Sequence, residues 1–161
     1  MRYIYIVFAI MTINAPNMAY PTDSNVFRNL TNDVKMKGAT MEIFYIDPLT
    51  LHRIAPDEST IQKWYSQYNK FDVLEKWSTV KKLLKINLVK IDKIEPLDVR
   101  ILVIFSNTKA SIHQISIGQG LTIDGNSYKY DERVWILFED IIAPGARVKR
   151  QNFLNNIKMK K

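Results

Sequence analysis

Apolar and polar positions change rhythm several times along the chain. Val99, Ile101, Val103 and Phe105 alternate with Asp98, Arg100, Leu102 and Ile104. A period of two is the mark of a strand. Beyond Arg100 both sets are apolar, which predicts a strand covered on both faces. Asn107-Thr108-Lys109 turns the chain, and Ile112 to Ile117 returns it. Gly118 and Gly120 bracket the next turn. Leu121 to Ile123 and Ser127 to Tyr130 flank Asp124-Gly125-Asn126, where glycine accepts the positive backbone angle of a tight hairpin. Nearer the start, Thr40 to Ile46 reads as a strand, although Met41, Phe44 and Ile46 do not alternate and leave its inward face open. Asp47-Pro48 ends it. Leu51 to Ile54 reads as a further short strand, stopped by Pro56.

Other stretches carry helical spacing. Ile61, Trp64, Tyr65, Tyr68 and Phe71 form one apolar face, with Ser59 and Gln62 as a capping box in front of them. Val73, Trp77, Val80 and Leu84 form a second set. The two sets share no stripe, so the pattern predicts helices over 59–69 and 73–85 with a break near Asn69–Asp72. Ile86 to Ile94 is rich in β-branched residues and reads as a strand or as a helical extension. After Asp131 two readings compete. One is a capped helix burying Val134, Trp135, Phe138, Ile141 and Ile142; the other is a strand alternating through Val134, Ile136 and Phe138. Length and the lack of internal turn residues favour the helix, and Pro144-Gly145 ends either one. Residues 20–38 are polar and read as a loosely held entry segment with a short amphipathic turn at Val26, Phe27 and Leu30. The fold class expected is α+β: an antiparallel β-meander packed against amphipathic helices in a single domain, residues 20–145.

The first nineteen residues follow a different logic. Arg2 is the only charge before Asp23, Tyr3 to Ile13 is an apolar run of 11 residues, and Pro16 and then Ala19 follow. A positive end, a short apolar centre and a small residue before a cut are the order of a secretory signal peptide. The run is shorter than the roughly 20 residues of a membrane-crossing helix. The competing reading is a buried first strand, because the run is rich in β-branched and aromatic residues. The signal reading predicts residues 1–19 removed, no transmembrane anchor, and a periplasmic or secreted protein. Asn29-Leu30-Thr31 is a glycosylation sequon that matters only in a eukaryotic source.

Composition narrows the chemistry. The 161 residues are 47% hydrophobic and 24% charged, enough apolar material for a real core. There is no cysteine, which excludes disulfides, thiol nucleophiles and thiolate metal sites. The two histidines, His52 and His113, have no acidic neighbour in sequence and read as structural. Hydrolase elbows, HExxH helices, P-loops and dinucleotide fingerprints are missing. Asp131, Glu132, Glu139 and Asp140 could supply a carboxylate pair; on the favoured helix Asp131 is a cap and the others are surface acids. No catalytic residue, metal site or cofactor is therefore expected.

The net charge is +7, and residues 146–161 form a basic tail with six cations, Arg147, Lys149, Arg150, Lys158, Lys160 and Lys161, and no acid. The tail reads as a solvated terminus or as an attractor for nucleic acid or another anionic surface. Lys76, Lys81, Lys82, Lys85, Lys90 and Lys93 read as a solvated polar face, with partner binding as the minority view. The aromatic set Trp64, Tyr65, Tyr68 and Phe71 could line a ligand groove, but burial in the core is the expected use of such side chains. Asp98 and Arg100, two apart on a strand, share one face. They would form a rim ion pair or be displayed to a partner.

Residues 97–142 resemble small bacterial immunity proteins that neutralise toxins of neighbouring cells. The resemblance lies in the strand opened by Leu97-Asp98-Val99-Arg100, the return through Ile112–Ile117, the turn Ile123-Asp124-Gly125-Asn126, Tyr128 and the helix that follows. It implies a non-enzymatic protein that masks a protein partner's active surface, and the basic charge departs from the acidic character of those aimed at nucleases. Asp98, Arg100, Arg147, Lys149 and Arg150 are the candidate partner-binding residues. An accessory subunit of an envelope or secretion assembly is the alternative expectation, and an anionic-surface binder acting through the tail is a further one.

Overall fold

A computed structural model describes residues 22–23, 25–50, 55–92, 98–107 and 111–148. Several expectations lie outside these residues: the signal segment 1–19, the strand at Leu51–Ile54, His52, the end of the 86–94 stretch, and the tail from Lys149 onward.

Strand β1 (Thr22–Asp23) leads into helix α1 (Val26–Val34). Strand β2 (Thr40–Tyr45), helix α2 (Glu58–Trp64) and strand β3 (Gln67–Asp72) follow. Helix α3 (Trp77–Val80) runs into a 3-10 turn, Lys81–Lys85, and then strand β4 (Leu88–Val89). The meander consists of β5 (Ile101–Ser106), β6 (Ser111–Ile117), β7 (Leu121–Ile123) and β8 (Asn126–Tyr128), and helix α4 (Glu132–Ile142) follows it. Six strands form one antiparallel sheet in the order β3-β2-β5-β6-β7-β8, and β1 pairs with β4. The fold is a single α+β domain with the meander and packed helices that the sequence predicts.

The strand predictions through the meander hold because both of their signals are local. Alternation marks β5, all of whose residues are buried or partly buried. The β7–β8 hairpin has a two-residue loop, with Asp124 at φ 49 and Gly125 at φ 75, the left-handed pair that matches strand twist. Helix α4 also holds. Asp131 caps it by accepting from the Arg133 N–H at 2.9 Å, and Val134, Trp135, Phe138 and Ile142 are buried.

Three expectations are corrected. The helix of 59–69 ends at Trp64, and Gln67–Asp72 is β3, paired residue for residue with β2 from Thr40↔Asp72 to Tyr45↔Gln67. Ladder bonds along a ready partner strand override the helical spacing of the aromatics. The cap of α2 is Asp57 with Thr60, not Ser59 with Gln62: the Asp57 carboxylate accepts from the Ser59 and Thr60 N–H groups, and the Thr60 hydroxyl accepts from the Asp57 N–H at 2.7 Å. The helix of 73–85 is reduced to α3 and the 3-10 turn, because Asp72 accepts from the Leu74 N–H at 2.8 Å and spends the first residues in turns. In the opposite sense, the entry segment contains a full helix, α1, which buries Phe27, Leu30, Thr31 and Val34. Thr31 of the sequon is only 3% exposed and donates to the Phe27 carbonyl at 2.7 Å.

The two faces of the sheet differ. Met41, Ile43 and Tyr45 of β2, Ile101, Val103 and Phe105 of β5, and Ile115 and Ile117 of β6 point into the main core beneath α1, α3 and α4. Each such side chain stabilises the fold by about 1.5–3 kcal/mol. On the other face a small cluster of Phe44, Ile46, Val99 and Leu102 is covered by Ile61 of α2. The α2 carboxylate Glu58 accepts from Ser116 at 2.5 Å and pins the helix to that face.

Candidate binding surface

The face that carries α2 is where chemistry collects. Register places Glu42 and Phe44 of β2 beside Lys70 and Tyr68 of β3, and beside Ile104 and Leu102 of β5. Phe44, Tyr65 and Tyr68 form a three-ring cluster with centroids 4.8 to 5.7 Å apart. Phe44 is nearly buried, but Tyr65 and Tyr68 are 43% and 39% exposed, and Trp64 beside them is 44% exposed. The expected burial of this aromatic set in the core is therefore corrected. A strand at 67–72 sends Tyr68 and Phe71 to opposite faces, and Phe71 alone packs against the main core.

Glu42 organises the polar rim of the cluster. It accepts from Lys70 Nζ at 2.8 Å and from the Tyr68 hydroxyl at 3.2 Å. Desolvation, followed by the Glu42 charge, raises the Tyr68 phenol above its ordinary pKa. The hydrogen bond to Glu42 raises that of Lys70. At neutral pH the patch is a neutral phenol and a closed ion pair beside aromatic carbon.

The patch adjoins an edge of the sheet that no described strand covers. At the β8 end, Ile91 N–H donates to Ser127 O at 3.0 Å and Lys129 N–H donates to Val89 O at 2.9 Å, so the chain around Lys90 covers that edge. At the β3 end, no described strand lies beyond β3. Val73 N–H donates to Ala39 O at 3.0 Å. The alternation of an antiparallel ladder then puts Gln67, Asn69 and Phe71 at the bonded positions and turns the N–H and C=O of Tyr68 and Lys70 outward.

The residues singled out in the sequence are elsewhere. Arg100 and Asp98 form an ion pair at 2.7 Å, with side chains only 12% and 21% exposed. Arg100 also donates to the Thr50 carbonyl at 2.8 Å, which fastens the 47–50 turn to the start of β5. Asp98 Oδ1 is buried and has no hydrogen-bond partner among the described residues. Arg147 is exposed near the end of the described chain, and Lys149 and Arg150 lie beyond it. The structure does not bring Arg147 together with Asp98 and Arg100 in a described contact.

His113 does have acidic neighbours, but from distant positions. Its Nδ1 lies 2.6 Å from Asp124 and its Nε2 lies 3.0 Å from Asp33 of α1. The ring joins α1, β6 and the β7–β8 turn, a structural use. Glu139, expected at the surface, is fully buried, with the Tyr45 hydroxyl donating to it at 3.3 Å. Among the described residues no group of histidine and carboxylate side chains could hold a metal ion, and no helix is long and apolar enough to cross a membrane.

Phe44, Glu42 and Ile104 are the site residues that sequence reasoning missed. The failed alternation at Met41, Phe44 and Ile46 was their only signal: β2 is apolar on both faces where the ring cluster begins. Compared with protein-family models, with curated proteins and with solved structures, the chain matches none.

Proposed function

We propose that this chain is a non-enzymatic protein-binding domain that works outside the cytoplasm and takes an extended segment of its partner along β3. The observation that carries the reading is the ring cluster Phe44–Tyr65–Tyr68 set beside the outward N–H and C=O groups of Tyr68 and Lys70. Strand addition draws affinity from main-chain hydrogen bonds and specificity from side chains that flank the edge. Exposed tyrosine and tryptophan at such a place are the residue types that dominate protein interfaces. Lys70 serves the free protein as well, since a charged edge discourages indiscriminate pairing. The leader of Arg2 and Tyr3–Ile13 supports export. The sharper form of the proposal is a toxin-masking protein, supported by the strand, hairpin and helix arrangement within 97–142.

A photo-crosslinking residue at Tyr68, used in the envelope fraction of the source cell, tests the reading. The expected result is one stoichiometric protein joined through β3, with slowed amide exchange at Tyr68 and Lys70 in the complex. Lys70→Pro removes an outward N–H that β2 does not use, so the fold remains and the adduct is lost. Tyr65→Ser, which removes one ring of the cluster and leaves the crosslinking position in place, should weaken capture at least tenfold. An adduct unchanged in both variants overturns the proposal, as does the absence of any stoichiometric adduct. Toxin masking in particular requires the captured protein to lose its activity in the complex.

A further inference from the structure

A second surface lies on the other side of the sheet and is independent of the partner-binding reading. Helix α4 is apolar on two sides. Val134, Phe138 and Ile142 serve the core, while Ile136 and Ile141 are only partly buried and face a groove that α3 and the following turn complete. The groove holds about 490 Å³, within the roughly 300–1,000 Å³ of small-molecule sites. Its floor is Ile136, Leu137 and Ile141. Its rim carries Lys76, Lys82 and Arg133 against one acid, Asp140.

These cations are not equivalent. Arg133 is closed onto Asp131, with its Nη2 2.6 Å from the carboxylate. Lys76 sits over the Phe71 ring, 4.9 Å from the centroid. Lys82 is exposed and forms no hydrogen bond or ion pair with a described residue. A ligand with a negative head would meet Lys82 and Lys76 together, and a carbon chain attached to that head would lie on the isoleucines. The lysine stems extend the apolar wall while their ammonium groups stay wet. A purely polar anion would leave the floor uncovered, and an uncharged hydrocarbon would leave the cations unused.

We propose that the α3–α4 groove binds an amphiphilic anion, a medium-length alkyl chain ending in a negatively charged head. Titration of the full chain with decanoate, below its micelle-forming concentration and followed by calorimetry and amide NMR, tests this. The expected result is saturable binding with shifts confined to α3, the 3-10 turn and the Ile136–Ile141 side of α4. Decanol and acetate, which carry the tail and the head alone, should each bind at least tenfold more weakly. Lys82→Glu combined with Lys76→Gln should weaken decanoate at least tenfold while leaving the thermal midpoint within a few degrees. Ile136→Trp, which fills the groove, should block it without a charge change. Equal binding of decanol, binding untouched by both groove variants, or no saturable binding overturns the site itself.

Discussion

At the residue scale, Asp57 shows how one side chain decides where an element begins. Its carboxylate takes the Ser59 and Thr60 N–H groups and two hydroxyls, all within 2.9 Å. The Thr60 backbone bond, followed by the side-chain bonds, lowers its pKa from 3.8 to about 2. A depressed folded-state pKa means that the ionised cap stabilises the fold above about pH 4, and that this contribution is lost as pH falls toward 2. Asp131 at the head of α4 shifts in the same direction, chiefly through its hydrogen bond from Arg133. Asn caps helices about as well as Asp but does not titrate. Asp57→Asn should therefore keep the neutral-pH urea midpoint and flatten its acid limb between pH 4 and pH 2. An unchanged acid limb would show that this carboxylate does not carry the effect.

At the element scale, legibility followed the range of the signal. Asp131 with the apolar face of α4, and Asp124-Gly125 within its hairpin, are decided by neighbours in sequence, and both could be read. The 61–71 segment could not, because Tyr68 and Phe71 suit a helix face as well as opposite sides of a strand. Only β2, more than twenty residues earlier, settles the choice. The same dependence on distant partners hid the Asp33–His113–Asp124 join and the ring cluster around Phe44. Gly118 is another case. It reads as a turn residue, yet its main duty is to let two elements approach: a Cβ there would lie 1.9 Å from the Asp98 carbonyl oxygen, a backbone atom that cannot swing aside. Gly118→Ala should destabilise the fold by about 1–3 kcal/mol, the usual cost of overpacking. Urea unfolding measures it, and a loss below about 0.5 kcal/mol, the range of ordinary surface changes, would mean that the β5 entry yields easily.

At the scale of the whole molecule, the chain offers a partner two kinds of chemistry, a basic run of sequence and an aromatic sheet face. The ring cluster with its closed Glu42–Lys70 pair lies on the opposite face of the sheet from α4, and six cations follow that helix in the sequence, within residues 146–161. The two regions answer differently to salt. Attraction through a cluster of cations to a polyanion falls steeply between about 50 and 200 mM salt, because counterions are released on binding. Contact through tyrosine rings and main-chain hydrogen bonds along β3 has little such dependence. Replacing Arg147, Lys149 and Arg150 by Gln should therefore remove most salt-sensitive binding to anionic surfaces and leave partner capture along β3 intact. Tyr65→Ser with Tyr68→Ser should do the reverse. Affinity measured for both variants across that salt range separates the two surfaces. If the Gln variant loses the partner while the Ser variant keeps it, the basic tail is the working surface and the aromatic face is not.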